Sequence, residues 1–234
     1  MSIAKYFLGS LLALPMFGLV SVQAEPVGDE TFEGSLTCSA PAGAAEDGRL
    51  SCKAFINPGL PEIDLALVLQ DKDASGARVL DRIELRRGGN AAPFQVLKGI
   101  ALHVPAGVEK GGVEMVDVNF DGYFDLRMRR ANADGGALYQ NWVWSKEQGA
   151  FIDIPELDAI VSPEFYAEDQ EIASRWKRGA SERGSDTYSY DGQIPLLVHR
   201  EIDQLSAGGA CGRIFYDRID DELKKTGSGA CDNE

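Results

Sequence analysis

The chain has 234 residues, 44% of them apolar, and carries 37 Asp and Glu against 23 Lys and Arg, a formal net charge of −14. That balance excludes a surface built for nucleic acid or anionic lipid, and it favours cations and basic protein patches. Acidity also serves simple solubility, so charge alone names no partner.

The chain opens with Lys5 ahead of an apolar run over 6–20, broken by Pro15 and closed by Val22-Gln23-Ala24. A basic start, a short apolar stretch and a small-x-small site read as a signal peptide over 1–24, not a membrane span. No Cys follows the cleavage site, so lipid anchoring is not expected, and the mature chain is expected to be periplasmic or secreted, without membrane insertion. Roughly 210 residues remain, enough for one all-β domain over 25–234.

Beyond the leader, short alternating or apolar segments recur at 31–39, 49–56, 63–70, 78–86, 94–104 and 113–118. They continue at 124–131, 138–145, 150–154, 171–178, 187–190, 193–202 and 213–220. A period of two over so few residues predicts strands. Asp134-Gly135 and Asp191-Gly192 supply two-residue hairpin turns. Only 155–160 and 219–225 read as helical. The fold class is therefore all-β with very little helix, and a sandwich, barrel or propeller all suit the pattern, since no repeat period is visible. Trp142 and Trp144 stand two apart, so they share one face of a strand with Val143 on the other. That pair packs a core or, less commonly, contacts sugar rings.

Four cysteines, Cys38, Cys52, Cys211 and Cys231, lie beyond the leader. An even number in an oxidising compartment predicts two disulfides. Three connectivities are possible, and the local one, Cys38–Cys52 with Cys211–Cys231, closes the shortest loops. A zinc site is disfavoured, because no pair has CxxC spacing and no His lies nearby.

The segment Asp117-Val118-Asn119-Phe120-Asp121-Gly122-Tyr123-Phe124-Asp125 places oxygen-bearing side chains at positions one, three, five and nine. Gly122 stands at position six, where a sharp turn needs φ > 0. This is the spacing of a loop around a hard cation. Calcium takes carboxylate oxygens together with a backbone carbonyl at position seven, here Tyr123. The expected ligands of Ca²⁺ are Asp117, Asn119, Asp121, the Tyr123 carbonyl and Asp125. An EF-hand is excluded, because position twelve is Met128 where a bidentate Glu is needed, and because alternating strands flank the loop in place of helices. The competing reading is an acidic turn that holds no ion.

Catalytic constellations are not found. His103 and His199 are the only histidines, and no GxSxG elbow, phosphate-binding loop or dinucleotide fingerprint occurs. With so many acidic residues any carboxylate pair can be chosen, so a glycosidase pair has no support. The protein is not expected to be an enzyme.

The stretch 116–127 resembles the signature of a bacterial periplasmic family. Its later pieces match in order: Gly135-Gly136 with the aromatic strand to Trp144, Gln148-Gly149-Ala150-Phe151, Leu157 to Phe165, and Ile172 to Val198. The resemblance spans roughly 113–202 and leaves 205–234 as a disulfide-stapled extension. The family includes calcium-binding proteins similar to I-type lysozyme inhibitors, some of them immunity proteins against secreted peptidoglycan hydrolases. The resemblance implies a compact antiparallel, propeller-like β domain, with a β-sandwich as the alternative. It implies that the protein inhibits a peptidoglycan hydrolase or lysozyme, a basic partner, by inserting a loop into its cleft. A polar–aromatic pair is expected at the contact, with Tyr139, Ser185 and Tyr188 as candidates on loops after Gly136 and Gly184. The runner-up is a calcium-stiffened envelope glycan- or peptide-binding module that uses Trp142 and Trp144.

Overall fold

The computed structural model describes residues 36–39, 48–70, 78–90, 92–104, 112–133 and 135–231. The expected signal peptide over 1–24 lies outside the described residues. The described chain forms three antiparallel sheets, in each of which the strands follow one another in chain order, so every sheet is a meander. Short turns make neighbours in sequence into neighbours in space.

The first sheet holds β1 (Leu36–Ser39), β2 (Arg49–Ala54), β3 (Ile63–Leu69), β4 (Arg78–Arg87) and β5 (Gln95–Val104). The second holds β6 (Val113–Val116), β7 (Asp125–Ala133), β8 (Gly136–Ser145) and β9 (Ala150–Asp153). One helical turn, α1 (Pro155–Asp158), leads into the third sheet. That sheet comprises β10 (Pro163–Tyr166), β11 (Glu171–Arg178), β12 (Glu182–Asp191), β13 (Ile194–Leu205), β14 (Cys211–Ile219) and β15 (Glu222–Ala230).

The second sheet is the middle layer, because its strands alternate faithfully. Met115, Leu126, Met128, Trp142 and Trp144 point to one side and pack with Ile63, Leu65, Leu67, Ile83 and Leu85 of the first sheet. Val116, Val143 and Ile154 serve the other side, with Leu157, Ile160 and Ile172 of β11. Fully burying each large aliphatic side chain stabilises the fold by about 1.5–3 kcal/mol, and most such residues lie between the first two sheets. Trp142 and Trp144 are core residues at 2% and 5% exposure, the core packing expected first for the pair, and the runner-up's sugar contact through them does not hold.

Both disulfides take the local pairing, Cys38–Cys52 and Cys211–Cys231. The first joins residues directly opposite on β1 and β2. The second ties the start of β14 to the end of β15, two strands hydrogen-bonded into the third sheet. The helix expected at 155–160 is present as the single turn α1, docked by the Asp158 carboxylate, which accepts the Asn141 N–H and Nδ2–H at 2.8 and 3.0 Å. The helix expected at 219–225 is absent. Asp220 and Asp221 take φ of 52° and 62° and form the two-residue turn between β14 and β15. Two consecutive positive φ values suit the right-handed twist of a hairpin, and Asp tolerates them.

Candidate functional site

The loop over 117–125 connects β6 to β7, at the junction of all three sheets. Its first residue organises it: Asp117 accepts the Gly122 N–H at 2.9 Å and the Asp121 N–H at 3.2 Å. Asn119 Oδ1 accepts the Asp121 N–H at 3.4 Å, and Asp121 Oδ1 accepts the Tyr123 N–H at 2.9 Å. Gly122 has φ of +81°, the conformation anticipated for the sixth position.

The loop is clamped from three directions. From the first sheet's side, Asn57 Nδ2 donates to the Gly122 carbonyl at 2.8 Å and the Ile56 carbonyl accepts the Phe124 N–H at 2.8 Å. From the second sheet, Asp125 accepts the Trp144 N–H at 2.7 Å and the Val118 N–H at 2.9 Å. From the third, the Tyr190 hydroxyl donates to the Val118 carbonyl at 2.5 Å. Phe120 takes φ of 60°, rare for an aromatic residue, and its ring is held edge-on by Tyr190 at 5.9 Å and by Phe165 at 6.4 Å.

Electrostatically the loop is one-sided. Asp125 is fully buried, and burial pushes its carboxyl well above the usual range, with Asp121 and Asp117 pushing the same way. Asp117 is raised by burial and by Asp121. The Tyr190 phenol is raised by burial first and then by Asp125, Asp117 and Asp121. No Lys or Arg is among the main influences on the Asp117 and Asp125 carboxyls.

The five expected ligands do not behave alike. Asp117, Asn119 and Asp121 form a single hydrogen-bonded turn that also carries Tyr123, and hard oxygen donors of this kind suit calcium. Asp125 differs in burial: it is fully buried, and its oxygens accept the Trp144 and Val118 N–H groups. The carboxylates of Asp117, Asp121 and Asp125 do not all come within 4.8 Å of one another; among the described residues the group that does is Asp203, Cys211 and Cys231, whose cysteines are joined in a disulfide. Asp125 is thus a bolt between β8 and the loop, a role invisible in ligand spacing because its partner Trp144 lies 19 residues away.

The three contact candidates sit on strands, not loops. Tyr139 is inside β8, opposite Arg129, with the Arg127 guanidinium 4.6 Å from its ring centroid. Ser185 and Tyr188 are inside β12, which bulges between Thr187 and Tyr188. Tyr188 donates to Asp186 at 3.3 Å, and burial, followed by the Asp186 charge, pushes its phenol up to about 12. Gly184-Ser185-Asp186 reads as a turn, but two ladders pair it with β11 and β13. His199 lies between Asp217 at 2.6 Å and Glu201 at 3.4 Å. His103 pairs with Val79 along β5, so the two histidines belong to different sheets.

Sequence reasoning missed an open cleft of about 640 Å³ on the third sheet, which Ser185 lines. Its charged residues come from β11, β12, β13 and β14, and only the antiparallel register brings them together.

These features define an all-β protein of three stacked meanders pinned at one acidic loop. No protein-family model matches the chain, and no curated protein sequence matches it. Among solved structures it is similar to a Xanthomonas type IV secretion system related protein, with a TM-score of 0.61 and 18% identity. The likeness covers 81% of this chain and 98% of the other, and at that identity it shows a shared fold.

Proposed function

We propose that this protein is a non-catalytic, extracytoplasmic inhibitor of a peptidoglycan hydrolase, of the lysozyme-inhibitor or immunity kind, with calcium stiffening the loop over 117–125. One observation carries the reading. The pieces of the family-like signature, scattered from 116 to 198, meet at a single junction. Val118 bonds Tyr190, Asp125 bonds the Trp144 N–H, and Phe120 packs on Phe165. That convergence supports reading the pieces as one structural device.

Three further points support it. The structural neighbour is described as related to a type IV secretion system. Two disulfides suit an oxidising compartment. A scaffold bolted at every layer loses little conformational entropy on binding. In this reading Asp117, Asn119, Asp121, the Tyr123 carbonyl and Asp125 hold the ion, which offsets the repulsion among three neighbouring carboxylates. Asp125 keeps the loop in register. The contact candidates in this reading are Tyr139 on β8 and Ser185 and Tyr188 on β12.

The test is a lytic assay. The mature protein, mixed with a panel of peptidoglycan hydrolases that includes one encoded beside it, is expected to stop at least one of them at near-equimolar ratio. If a large molar excess slows none, the inhibitor reading is wrong.

A further inference from the structure

On a chain of net charge −14, the clefts of the third sheet are lined by more basic than acidic side chains, and the one between β11 and β14 carries the most. That cleft is lined by Arg175, Lys177, Arg183 and Arg213 against Glu201 and Asp203. We propose that this cleft is a binding site for a carboxylate-bearing glycan.

The charges are arranged, not scattered. Asp203, 6% exposed, accepts Arg213 Nε at 2.6 Å and Nη2 at 3.0 Å on one side and Arg183 Nε at 3.1 Å on the other. Register places Asp203 directly between them, opposite Arg183 on β12 and Arg213 on β14. A buried carboxylate that holds two guanidinium groups fixes their planes before any ligand arrives, and the fork geometry of Arg suits a planar carboxylate. Lys177 forms no ion pair among the described residues. Arg175 reaches only Glu164, at 3.7 Å and with both side chains at least half exposed. These two supply charge not committed to the fold, and a screened surface pair of that kind holds Arg175 weakly.

The walls suit a sugar chain. The cleft is open, so a polymer can lie along it, and its volume is within the range of ligand sites. Trp176 lines it and is the one tryptophan outside the core. Two glycines make that placement possible. At Gly184 a Cβ would overlap the Trp176 indole. At Gly135 a Cβ would lie 2.5 Å from the Lys177 carbonyl oxygen, so this glycine lets the β7–β8 turn sit against β11 at the rim of the cleft. Indole, hydroxyl and guanidinium groups together match the apolar faces, hydroxyls and carboxylates of an acidic oligosaccharide.

The proposal goes beyond hydrolase inhibition, and its test contains no hydrolase, so failure here leaves the lytic assay to decide that reading. Binding is followed by tryptophan fluorescence, with calorimetry as a second readout. The probes are an oligogalacturonate, a neutral chitin oligosaccharide of equal length, and an oligoglutamate peptide of equal charge. The oligogalacturonate is expected to bind saturably, at least tenfold more tightly than either of the others, and to weaken as salt rises. Arg175→Glu and Lys177→Glu change exposed side chains and are expected to weaken it at least tenfold with an unchanged circular dichroism spectrum. Equal binding of the neutral sugar removes the role of charge, and equal binding of the peptide makes this a peptide site. No saturable binding at millimolar probe, or full binding by both variants, overturns the proposal.

Discussion

The first two sheets and the third are stabilised by different physics. Between the first two, aliphatic and aromatic residues from both sheets form one core, with Leu67, Leu80, Ile83, Leu85, Leu126 and Met128 at 0% exposure. In the third sheet, Ile172 and Pro195 are the buried apolar residues, beside Ser174, Asp186 and Asp203. That sheet is laced by opposite charges set directly across its ladders: Asp186 with Arg200, Arg183 with Asp203, Asp203 with Arg213, and His199 with Asp217. Cross-strand pairs contribute a few tenths to about 1 kcal/mol each, far less than a core aliphatic. A sheet held this way can present most of its side chains to solvent, which makes it the layer suited to recognition.

Core truncation should separate the two regimes most sharply. Met128→Ala is expected to cost about 2–5 kcal/mol through lost burial and a residual cavity. Ile214→Ala, on the half-buried face of β14, is expected to cost about 1 kcal/mol or less. Urea melts of both variants measure the difference, and equal losses would show that the third sheet has an apolar core after all. Next in size is Asp186→Ala. Asp186 is 2% exposed and accepts two bonds from Arg200, at 2.7 and 2.6 Å. Its loss strands a guanidinium that is still partly in water, so roughly 2 kcal/mol is expected, below the 3–5 kcal/mol of a fully buried pair. A cost that disappears when the same variant is made in an Arg200→Ala background would assign it to the pair.

The loop at the junction belongs to neither regime, and an ion would act on it by mass action. Binding to the native state alone raises stability by about 2.7 kcal/mol at a concentration one hundred times Kd. Calcium is expected to raise the melting temperature of the native sequence, and Asp121→Ala is expected to abolish that rise. Identical melting in calcium and in chelator would remove the ion from the proposal and leave an acidic Asx turn.

How much of this was legible in the sequence follows from how local each signal is. Gly122 with its φ > 0, the strand alternation around Trp142, Val143 and Trp144, and the two local disulfides all depend on near neighbours, and all appear as expected. What was missed depends on register. The bond from the Trp144 N–H to Asp125 cannot be read from the loop spacing, because Trp144 is on the next strand. Glu222–Ala230 carries no apolar alternation and becomes a strand because β14 offers it a ladder. Ser185 has turn-like neighbours yet pairs on both sides. The cleft was missed because four strands contribute its charges, and the short basic run Arg175-Trp176-Lys177-Arg178 does not by itself say which other strands lie beside it.

The smallest expected effect tests the charge ladders by pH. His199 on β13 faces Asp217 on β14 through Nδ1 at 2.6 Å and Glu201 on its own strand through Nε2 at 3.4 Å. Asp217 is also bonded by the Thr226 hydroxyl, and Glu201 lies 3.6 Å from Arg213. The Asp217 hydrogen bond is the main cause that raises the His199 pKa above its ordinary value, and partial burial opposes it. A histidine raised in the native state binds its proton more tightly when folded. Its contribution is therefore fully present below the unfolded value of about 6.5 and is lost as pH rises through the folded value. Because the imidazole is a third exposed, solvent screens the pair and the contribution is small. His199→Gln keeps a polar group but cannot charge. The native sequence should melt above this variant at pH 5.5, and the gap should close by pH 8.5. A gap that is the same at both pH values would mean that the imidazole acts by packing, and that the β13–β14 ladder is not held by charge at this rung.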